Sequence, residues 1–173
     1  MNLSKKESKK QFEVIFKSFD SDGNGTIDKD EFINGMRQSL EIPIVDGISE
    51  FDVIFHEIFL LCDKRGIMKG KDNVLDMKEF KKVIKAMNIN YDDGDKIRIV
   101  GEILFKILDD NNSGNISKKE FELYAEIADL SKSEIEIFMK EIDENNNGKI
   151  DLNEFLNWFK AMFIEMNEYD ESE

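Results

Sequence analysis

Three twelve-residue segments of the sequence carry oxygen-bearing side chains at the same spacing. They run from Asp20 to Glu31, from Asp109 to Glu120 and from Asp143 to Glu154, and each has glycine at its sixth place. A Ca²⁺ ion takes roughly six to eight oxygen ligands, and a loop that offers oxygens at places 1, 3, 5, 7, 9 and 12 can wrap around it. Glycine at the sixth place permits the sharp turn. The spacing therefore predicts three calcium sites.

Most predicted ligands are side-chain oxygens, whereas the seventh place supplies a backbone carbonyl and the ninth often acts through a water. They are Asp20, Asp22, Asn24, Thr26, Asp28 and Glu31 in the first segment, Asp109, Asn111, Ser113, Asn115, Ser117 and Glu120 in the next, and Asp143, Asn145, Asn147, Lys149, Asp151 and Glu154 in the last. The closing glutamate binds through both carboxylate oxygens. Ca²⁺ is the expected ion, three per chain, with Mg²⁺ as a competitor.

A fourth segment repeats the surroundings of these loops but not their length. Each loop ends in a Glu-Phe pair, and Glu79-Phe80 is such a pair as well. Upstream, Phe55, Ile58, Phe59 and Cys62 stand at the helical offsets that apolar residues occupy before the other loops. Counting from Asp63 to Glu79 gives 17 residues, five more than the loop needs. Because the extra length should spoil the cage and adds several cations, we predict a helix-loop-helix unit that binds no calcium. A distorted site that uses Asp72, Asp76 and Glu79 is the alternative.

These loops, their closing Glu-Phe pairs and the repeated helical frame resemble the EF-hand superfamily over nearly the whole chain. The resemblance implies an all-α fold of four helix-loop-helix hands arranged as two pairs. In that family a short antiparallel bridge at the eighth loop place joins the members of a pair, here Ile27 with Leu75 and Ile116 with Ile150. Calmodulin-like sensors and sarcoplasmic calcium-binding proteins share this plan. The photoproteins resemble it too, but their chromophore cavity uses more Trp and His than this chain has.

The domain organisation follows from the repeats and from the polar punctuation between them. We expect an N-terminal pair of hands over 1–88, with hand two degenerate, a C-terminal pair over 95–166, and an acidic tail over 167–173. The segment between the pairs is polar and contains glycine, which argues against one continuous rigid helix. A compact arrangement of the two pairs is therefore expected.

Charge and composition exclude several classes of function. The formal net charge of −14 argues against nucleic acid as the main partner, because phosphate binding needs a basic surface. The sequence shows no membrane span, no secretory signal and no glycine after Met1 for myristoylation. Lys5, Lys6, Lys9 and Lys10 are interpreted as a solvated helix face rather than a contact with anionic lipid. A cytoplasmic, monomeric protein is expected.

No pair of residues suggests catalysis. The single histidine, His56, has no partner at ligand spacing, and the single cysteine, Cys62, occupies an apolar position of the repeat. A buried thiol of this kind is inert. We therefore predict no catalytic residue, no cofactor other than the ion, and no enzyme activity.

The last helix distinguishes between a sensor and a buffer. Phe155, Trp158, Phe159, Met162, Phe163 and Met166 recur at three- and four-residue spacing, which predicts more apolar surface than one pair of hands can cover. We interpret the chain as a calcium sensor or modulator that exposes an apolar groove to a partner helix. A calcium buffer, in which the other pair covers this stripe, and a constitutive regulatory subunit with structural calcium are the alternatives.

Overall fold

The computed structural model describes residues 5–43, 47–64, 73–87 and 95–170. Within these ranges the regular secondary structure is helical apart from one short two-stranded sheet and one isolated bridge, which confirms the all-α class. The elements in chain order are α1 (Lys5–Phe19), α2 (Lys29–Ser39), α3 (Glu50–Lys64), α4 (Met77–Met87), α5 (Lys96–Leu108), β1 (Asn115–Ser117), α6 (Lys118–Ile127), α7 (Lys132–Ile142), β2 (Lys149–Asp151) and α8 (Leu152–Asp170).

Successive helices pair around the predicted loops, so that the chain forms four helix-loop-helix hands. It divides into two compact units, Met1–Asn88 with hands one and two and Ile89–Glu173 with hands three and four. Helix α8 continues through Asp170 and thus includes the first residues of the acidic tail. Residues 88–94, between the two units, and 171–173, at the end of the tail, lie outside the described residues.

In each unit the two loops meet through an antiparallel bridge between apolar residues. Strands β1 and β2 pair antiparallel with Ile116 opposite Ile150. In the first unit, Ile27 and Leu75 form an isolated bridge in which each backbone amide donates to the carbonyl of the other, at 3.0 and 2.8 Å. All four side chains are fully buried. Both predicted bridges are therefore confirmed, including the one that involves the overlong loop.

The core of the first unit is built from aromatic rings on its four helices. The ring of Phe80 lies 4.7 Å from that of Phe19 and 5.7 Å from that of Phe16, measured between centroids. Phe32 contacts Phe19, Phe59 and Phe80. Phe32 and Phe80 directly follow the last residue of their loops and are completely buried. Burial of these rings anchors the start of each exit helix beneath its loop.

The second unit repeats this arrangement around helices α5 and α8. Phe121 and Phe155, which follow loops three and four, are again completely buried. The Phe155 ring lies 5.6 Å from Phe105 of α5 and stacks on Phe159, with centroids 6.0 Å apart. Phe163 is buried too. One row of the apolar stripe on α8 is thus part of the core.

Two helical glycines let neighbouring helices approach closely. A Cβ atom at Gly35 of α2 would lie 2.2 Å from Cδ1 of Phe19 on α1. A Cβ atom at Gly101 of α5 would lie 2.8 Å from Cδ1 of Phe159 on α8. Gly101 stands where hands one and four carry an apolar side chain, at Phe12 and Ile135. The ring of Phe159 therefore fills the space that such a side chain would need.

A buried ion pair joins α2 to the start of α3. Arg37 is 5% exposed, and its guanidinium donates to both carboxylate oxygens of Asp52, with 2.6 Å between Nε and Oδ1. It also donates to Ser49 Oγ at 2.8 Å and to the carbonyl of Pro43. The hydrogen bond from Arg37 lowers the pKa of the Asp52 carboxyl, and the same bond raises the pKa of Arg37. The pair therefore links the end of hand one to the start of hand two.

Candidate metal sites

Loop one brings three of its predicted ligands together. Oxygen atoms of Asp20, Asp22 and Glu31 lie within 4.8 Å of one another. Asp22 also accepts hydrogen bonds from the backbone and side-chain amides of Asn24, at 2.9 and 2.8 Å. Such a cluster of carboxylate oxygens is the ligand set that a hard cation prefers.

Glu31 is held in place by hydrogen bonds from the loop. Its Oε1 accepts from the amides of Ser21 and Asp22, at 2.8 and 3.2 Å, and from Ser21 Oγ at 2.9 Å, while its Oε2 accepts from the Asp28 amide at 3.0 Å. Burial raises the pKa of the Glu31 carboxyl, but the hydrogen bonds from Asp28, Ser21 and Asp22 outweigh it, so that the pKa lies below its usual value. The carboxylate is therefore ionised at neutral pH, as a ligand must be.

One oxygen of loop one has no hydrogen-bond partner. Asp20 Oδ2 accepts from the Gly25 amide at 3.0 Å, whereas Asp20 Oδ1 is buried and receives no hydrogen bond from the described residues. A buried carboxylate oxygen without a partner is costly in an apo protein. A cation bound between Asp20, Asp22 and Glu31 would satisfy it, so the residues present fit a calcium ion.

The three predicted loops share one backbone frame. In each, the sixth-place glycine amide donates to the first-place aspartate, at 3.0 Å for Gly25, 2.8 Å for Gly114 and 2.7 Å for Gly148. These glycines have φ between 80 and 88°, a left-handed conformation that glycine adopts without strain. The twelfth-place glutamate accepts from the ninth-place amide, at 3.0, 2.9 and 2.9 Å in loops one, three and four. All three loops therefore have the same backbone hydrogen bonds.

The ninth and twelfth places also start the exit helices. The side chains of Asp28 and Ser117 cap α2 and α6, each accepting from the amide of the glutamate three residues later, and Asp151 accepts from the Glu154 amide in the same way. In return, each glutamate accepts from the amide of the ninth-place residue. This reciprocal pair is a capping box, which satisfies backbone N–H groups at a helix start. The residues predicted to close the metal cage therefore also define where each exit helix begins.

Loop three offers fewer charges than loop one. Its carboxylates are those of Asp109 and Glu120, and Glu120 accepts from Ser117 Oγ at 2.7 Å and from Asn111 Nδ2 at 2.9 Å. Burial raises the pKa of Glu120, but the hydrogen bonds from Ser117 and from the Asn111 backbone leave it lowered overall. Ser113 donates to Asp109 and to the Asn115 carbonyl, the predicted seventh-place ligand. Hydrogen bonds therefore link Asn111 and Ser117 to Glu120, and Ser113 to Asp109 and Asn115.

Loop four stands between the other two in charge. Glu154 Oε1 accepts from the backbone and side-chain amides of Asn145, at 3.1 and 2.6 Å. Asp143 Oδ1 accepts from the Asn147 amide at 3.0 Å, and Asn147 Oδ1 accepts from the Lys149 amide at 2.9 Å. In loop one, Thr26 similarly donates to Asn24 Oδ1 through its amide and hydroxyl. Every predicted ligand residue therefore lies in its loop, next to other members of its predicted set.

The second hand keeps the later half of the loop frame. The Asn73 amide donates to Asp63 Oδ2 at 3.3 Å, as the sixth-place glycine amides do to their aspartates, and Asn73 has a φ of 63°. Asp76 and Glu79 exchange the same capping hydrogen bonds, at 2.8 and 3.0 Å. Places six to twelve therefore correspond to Asn73 through Glu79, and the five additional residues lie between places one and six. The cations Arg65, Lys69 and Lys71 and the carboxylate Asp72 lie outside the described residues.

The second unit contains a cavity whose lining is mainly apolar and includes one charged residue, Glu141. The cavity has a volume of about 440 Å³ and opens between α6, α7 and α8. Its lining includes Phe121, Tyr124, Leu130, Phe138, Trp158 and Met162. Trp158 and Phe138, which both line the cavity, contact each other edge to face, with ring centroids 6.4 Å apart. The sequence predicted an apolar stripe on α8, but it did not show that Trp158 and Met162 line a cavity while Phe155 and Phe159 are in the core.

No helix in the described part of the chain is both long and apolar enough to cross a membrane. On α3, Cys62 is buried at the end of an apolar row and His56 is exposed, so that the helix places the two side chains in different environments.

Comparisons with known proteins identify the family. A family model described as an EF-hand domain pair matches residues 100–160, and one described as an EF hand domain matches residues 11–39. Together they cover 61 and 29 residues, which is 90 of 173. Hand two lies outside both matches, in agreement with its irregular loop.

Curated relatives match over part of their length. The calcineurin B protein of Naegleria gruberi is 34% identical over 119 residues, covering 69% of this chain and 55% of the relative. The mitochondrial adenyl nucleotide antiporter SLC25A24 of Bos taurus is 32% identical over 124 residues, covering 72% of this chain and 21% of the relative. The chain thus spans about half of the first relative and about a fifth of the second.

Solved structures of photoproteins show a weaker likeness. Berovin from the ctenophore Beroe abyssicola, in its Ca²⁺-loaded apoprotein conformation, has a TM-score of 0.40 and 17% identity, covering 89% of this chain and 86% of that one. Another light-sensitive photoprotein has a TM-score of 0.39 and 18% identity, covering 94% and 84%. Neither likeness is strong enough to carry an argument about function.

Proposed function

This chain belongs to the EF-hand family of calcium-binding proteins, and on that basis we propose that it is a calcium sensor or modulator that binds three Ca²⁺ ions. Loops one, three and four supply the predicted ligand sets, and Mg²⁺ competes for them. The second unit is the part that responds to calcium, and it binds an apolar helix of a partner protein. The single observation that supports this proposal is the cavity of about 440 Å³ between α6, α7 and α8.

Helices α6 and α8 each carry both a predicted metal ligand and residues that line the cavity. Glu154 lies in the first turn of α8, and Trp158 of the cavity wall follows one turn later on the same helix. Glu120 occupies the corresponding position on α6, whose later residue Tyr124 also lines the cavity. When a bidentate glutamate closes around an ion, sensor EF-hands change the angle between entering and exit helices. Such a change at these glutamates would alter the width of the cavity.

Charge indicates what kind of helix would bind there. Residues 95–173 contain 9 lysines and arginines against 20 aspartates and glutamates. Two bound Ca²⁺ ions would reduce this excess of negative charge but would not reverse its sign. A partner helix with an apolar face and flanking cations would therefore complement the unit. The Naegleria relative is by name a component of calcineurin, which is in keeping with a regulatory role.

A buffer is the second candidate, and a specific observation favours it. Phe155, Phe159 and Phe163 are already buried, so that one row of the α8 stripe needs no partner. In a buffer, calcium would fill the loops with little change in the exposed apolar surface, because buffer EF-hands barely open. A constitutive regulatory subunit, in which calcium has a structural role, would stay bound to its partner when a chelator removes calcium.

A calcium titration with two optical readouts separates these candidates. Calorimetry should count three ions, while Trp158 emission and the fluorescence of a dye that binds exposed apolar surface should both change as loops three and four fill. Glu154→Gln should blunt both optical changes, whereas the matched variant Glu31→Gln, in the other unit, should leave them intact. Three filled sites with unchanged or falling dye binding would overturn the sensor proposal in favour of a buffer.

For the protein as a whole, we infer a monomeric, cytoplasmic chain without enzyme activity, since Cys62 is buried while His56 is exposed, and the Ser117 hydroxyl that donates to Glu120 belongs to the capping box of α6. Light scattering after size-exclusion chromatography, with and without calcium, tests the monomer. A calcium-dependent dimer would mean that the apolar cavity binds a second copy instead of a partner helix.

A further inference from the structure

The net charge of the chain is unevenly distributed along the sequence. Residues 1–94 contain 15 lysines and arginines against 18 aspartates and glutamates, a net charge of −3. Residues 95–173 have a net charge of −11, from 9 cations against 20 anions. The first unit is therefore nearly neutral although it contains the most acidic of the predicted metal loops. Its cations must be concentrated elsewhere on its surface.

They are concentrated on α1 and α4. Helix α1 carries Lys5, Lys6, Lys9, Lys10 and Lys17, and α4 carries Lys78, Lys81, Lys82 and Lys85. The same two helices contain three acidic residues, Glu7, Glu13 and Glu79, the last of which caps α4 through Asp76. The cationic excess on this pair of helices therefore lies outside the calcium-loop ligands.

The packing of the two helices leaves several of their described lysine side chains exposed. Helices α1 and α4 contact each other, and they bury Phe16, Phe19 and Phe80 in one core. On α4 the lysines stand opposite Phe80 and Val83 in the helical repeat, and on α1 Lys10 and Lys17 stand opposite Phe16 and Phe19. Lys10, Lys17, Lys78 and Lys85 are exposed and Lys81 is half-exposed. We call these five residues the lysine face.

The members of the lysine face are not neutralised by neighbouring carboxylates. Among the described residues none of the five forms an ion pair, whereas exposed lysines elsewhere do, such as Lys118 with Glu136 at 3.1 Å. An apolar side chain lies within the face as well. Val14 is 62% exposed and stands one helical turn from Lys10 and nearly one turn from Lys17. The surface thus combines unpaired cations with an exposed apolar group.

We propose that the lysine face binds the surface of an anionic lipid bilayer, which for Lys10 replaces the interpretation as a solvated face made from the sequence alone. Lysine next to an acidic membrane surface contributes about 1 kcal/mol, or about fivefold in binding, for each side chain that reaches it. Helices that lie on a membrane combine a cationic face with apolar side chains, which matches Val14 between Lys10 and Lys17. This proposal does not depend on the calcium sites.

The composition of the face favours lipid over other anionic partners. All its cations are lysines, which act as point charges, whereas arginine supplies the bidentate geometry typical of specific phosphate and carboxylate recognition. Nucleic acid is disfavoured by the net charge of −14. An acidic protein segment would leave Val14 without an apolar neighbour. A bilayer offers diffuse negative charge and an apolar interior together.

The test uses the full chain and sedimentation with vesicles of phosphatidylcholine containing about 30% phosphatidylserine, at physiological ionic strength, in chelator and in calcium. The variant Lys10→Gln/Lys17→Gln/Lys78→Gln/Lys85→Gln removes four exposed members of the face. The matched control, Lys119→Gln/Lys132→Gln/Lys140→Gln/Lys160→Gln, removes four exposed lysines of the second unit and changes the net charge equally. Circular dichroism confirms that each variant is folded.

We expect binding to the acidic vesicles but not to pure phosphatidylcholine. The first variant should lose at least about twentyfold in partitioning, as expected from two or more lysines at about fivefold each. The control should stay close to the parent, and Val14→Ser should weaken binding without abolishing it.

Three results would overturn the proposal: absence of vesicle binding by the parent chain, equal loss in the two lysine variants, and binding to polyglutamate in place of vesicles. The last would assign the face to an acidic protein. Failure of any of these tests leaves the calcium proposal untouched, because calorimetric stoichiometry is measured without lipid.

Discussion

The buried pair of Arg37 and Asp52 makes a quantitative prediction about the stability of the first unit. The two side chains are 6% and 13% exposed, and Arg37 donates three side-chain hydrogen bonds besides the one to the Pro43 carbonyl. Arg37→Ala leaves the Asp52 carboxylate with the amide and hydroxyl of Ser49, at 2.9 and 3.0 Å. Removing one partner of a buried pair costs about 3–5 kcal/mol, and we expect about 3 because Ser49 still contacts the carboxylate.

The matched double variant distinguishes a pair effect from loss of packing. Arg37→Met/Asp52→Leu replaces both charges by apolar groups, which for buried pairs is often neutral, so its cost should be no more than about 1 kcal/mol. Urea unfolding in chelator, followed by far-ultraviolet circular dichroism, measures these free energies. Trp158 emission reports the other unit and should show an unchanged transition. If Arg37→Ala costs less than about 1 kcal/mol, the pair behaves like an exposed one and our account of the burial is wrong.

Three other outcomes follow from the geometry. Replacing Glu31, Glu120 or Glu154 by Gln should each lower the calorimetric calcium stoichiometry by one, since the bidentate carboxylate closes the shell; an unchanged count would exclude that glutamate as a ligand. Gly35→Ala should destabilise the first unit by about 1–3 kcal/mol, because its Cβ would lie 2.2 Å from the Phe19 ring, whereas the exposed neighbour Asn34→Ala should be neutral or stabilising in the same melts. The hydrogen bond from Arg37 lowers the pKa of Asp52 below its ordinary value of 3.8. The stability that the Asp52 carboxylate contributes should therefore be present above pH 3.8 and disappear as the pH falls through the lower pKa of the folded state. Acid unfolding that is identical in the parent chain and in Asp52→Asn would contradict this prediction.

The repeat in the sequence predicted much of this fold because it encodes local geometry. Aspartate at place one, glycine at six and glutamate at twelve define a loop whose hydrogen bonds close within twelve residues, so no distant contact is needed to predict them. Both bridges, Ile27 with Leu75 and Ile116 with Ile150, join residues far apart in the chain, and they were predicted from the resemblance to paired EF-hand loops rather than from local geometry. The ion count and the role of each ligand stay predictions.

What the sequence did not reveal depends on neighbours that are distant in the chain. Arg37 has the pattern of an ordinary cation in the last turn of a helix, and its partner Asp52 lies fifteen residues away across a turn. The α8 stripe contains two rows, and only the packing of α5 at Gly101 decides that Phe159 is covered while Trp158 borders the cavity. The correspondence of Asn73 to the sixth place was also missed, although counting back from Glu79 would have indicated it.

The shared capping frame has a consequence for how this protein could change over time. In the second hand, the helix start at Asp76 and Glu79 and the bridge at Leu75 persist although the preceding segment is five residues too long. The residues before place six of such a loop can therefore vary while places six to twelve keep their structure. The earlier part is constrained mainly by the ion, whereas the later part is constrained by the exit helix. An insertion can therefore abolish metal binding in a hand that still pairs with its neighbouring hand. A deletion confined to the residues before place six would be the shortest change that could restore a metal site.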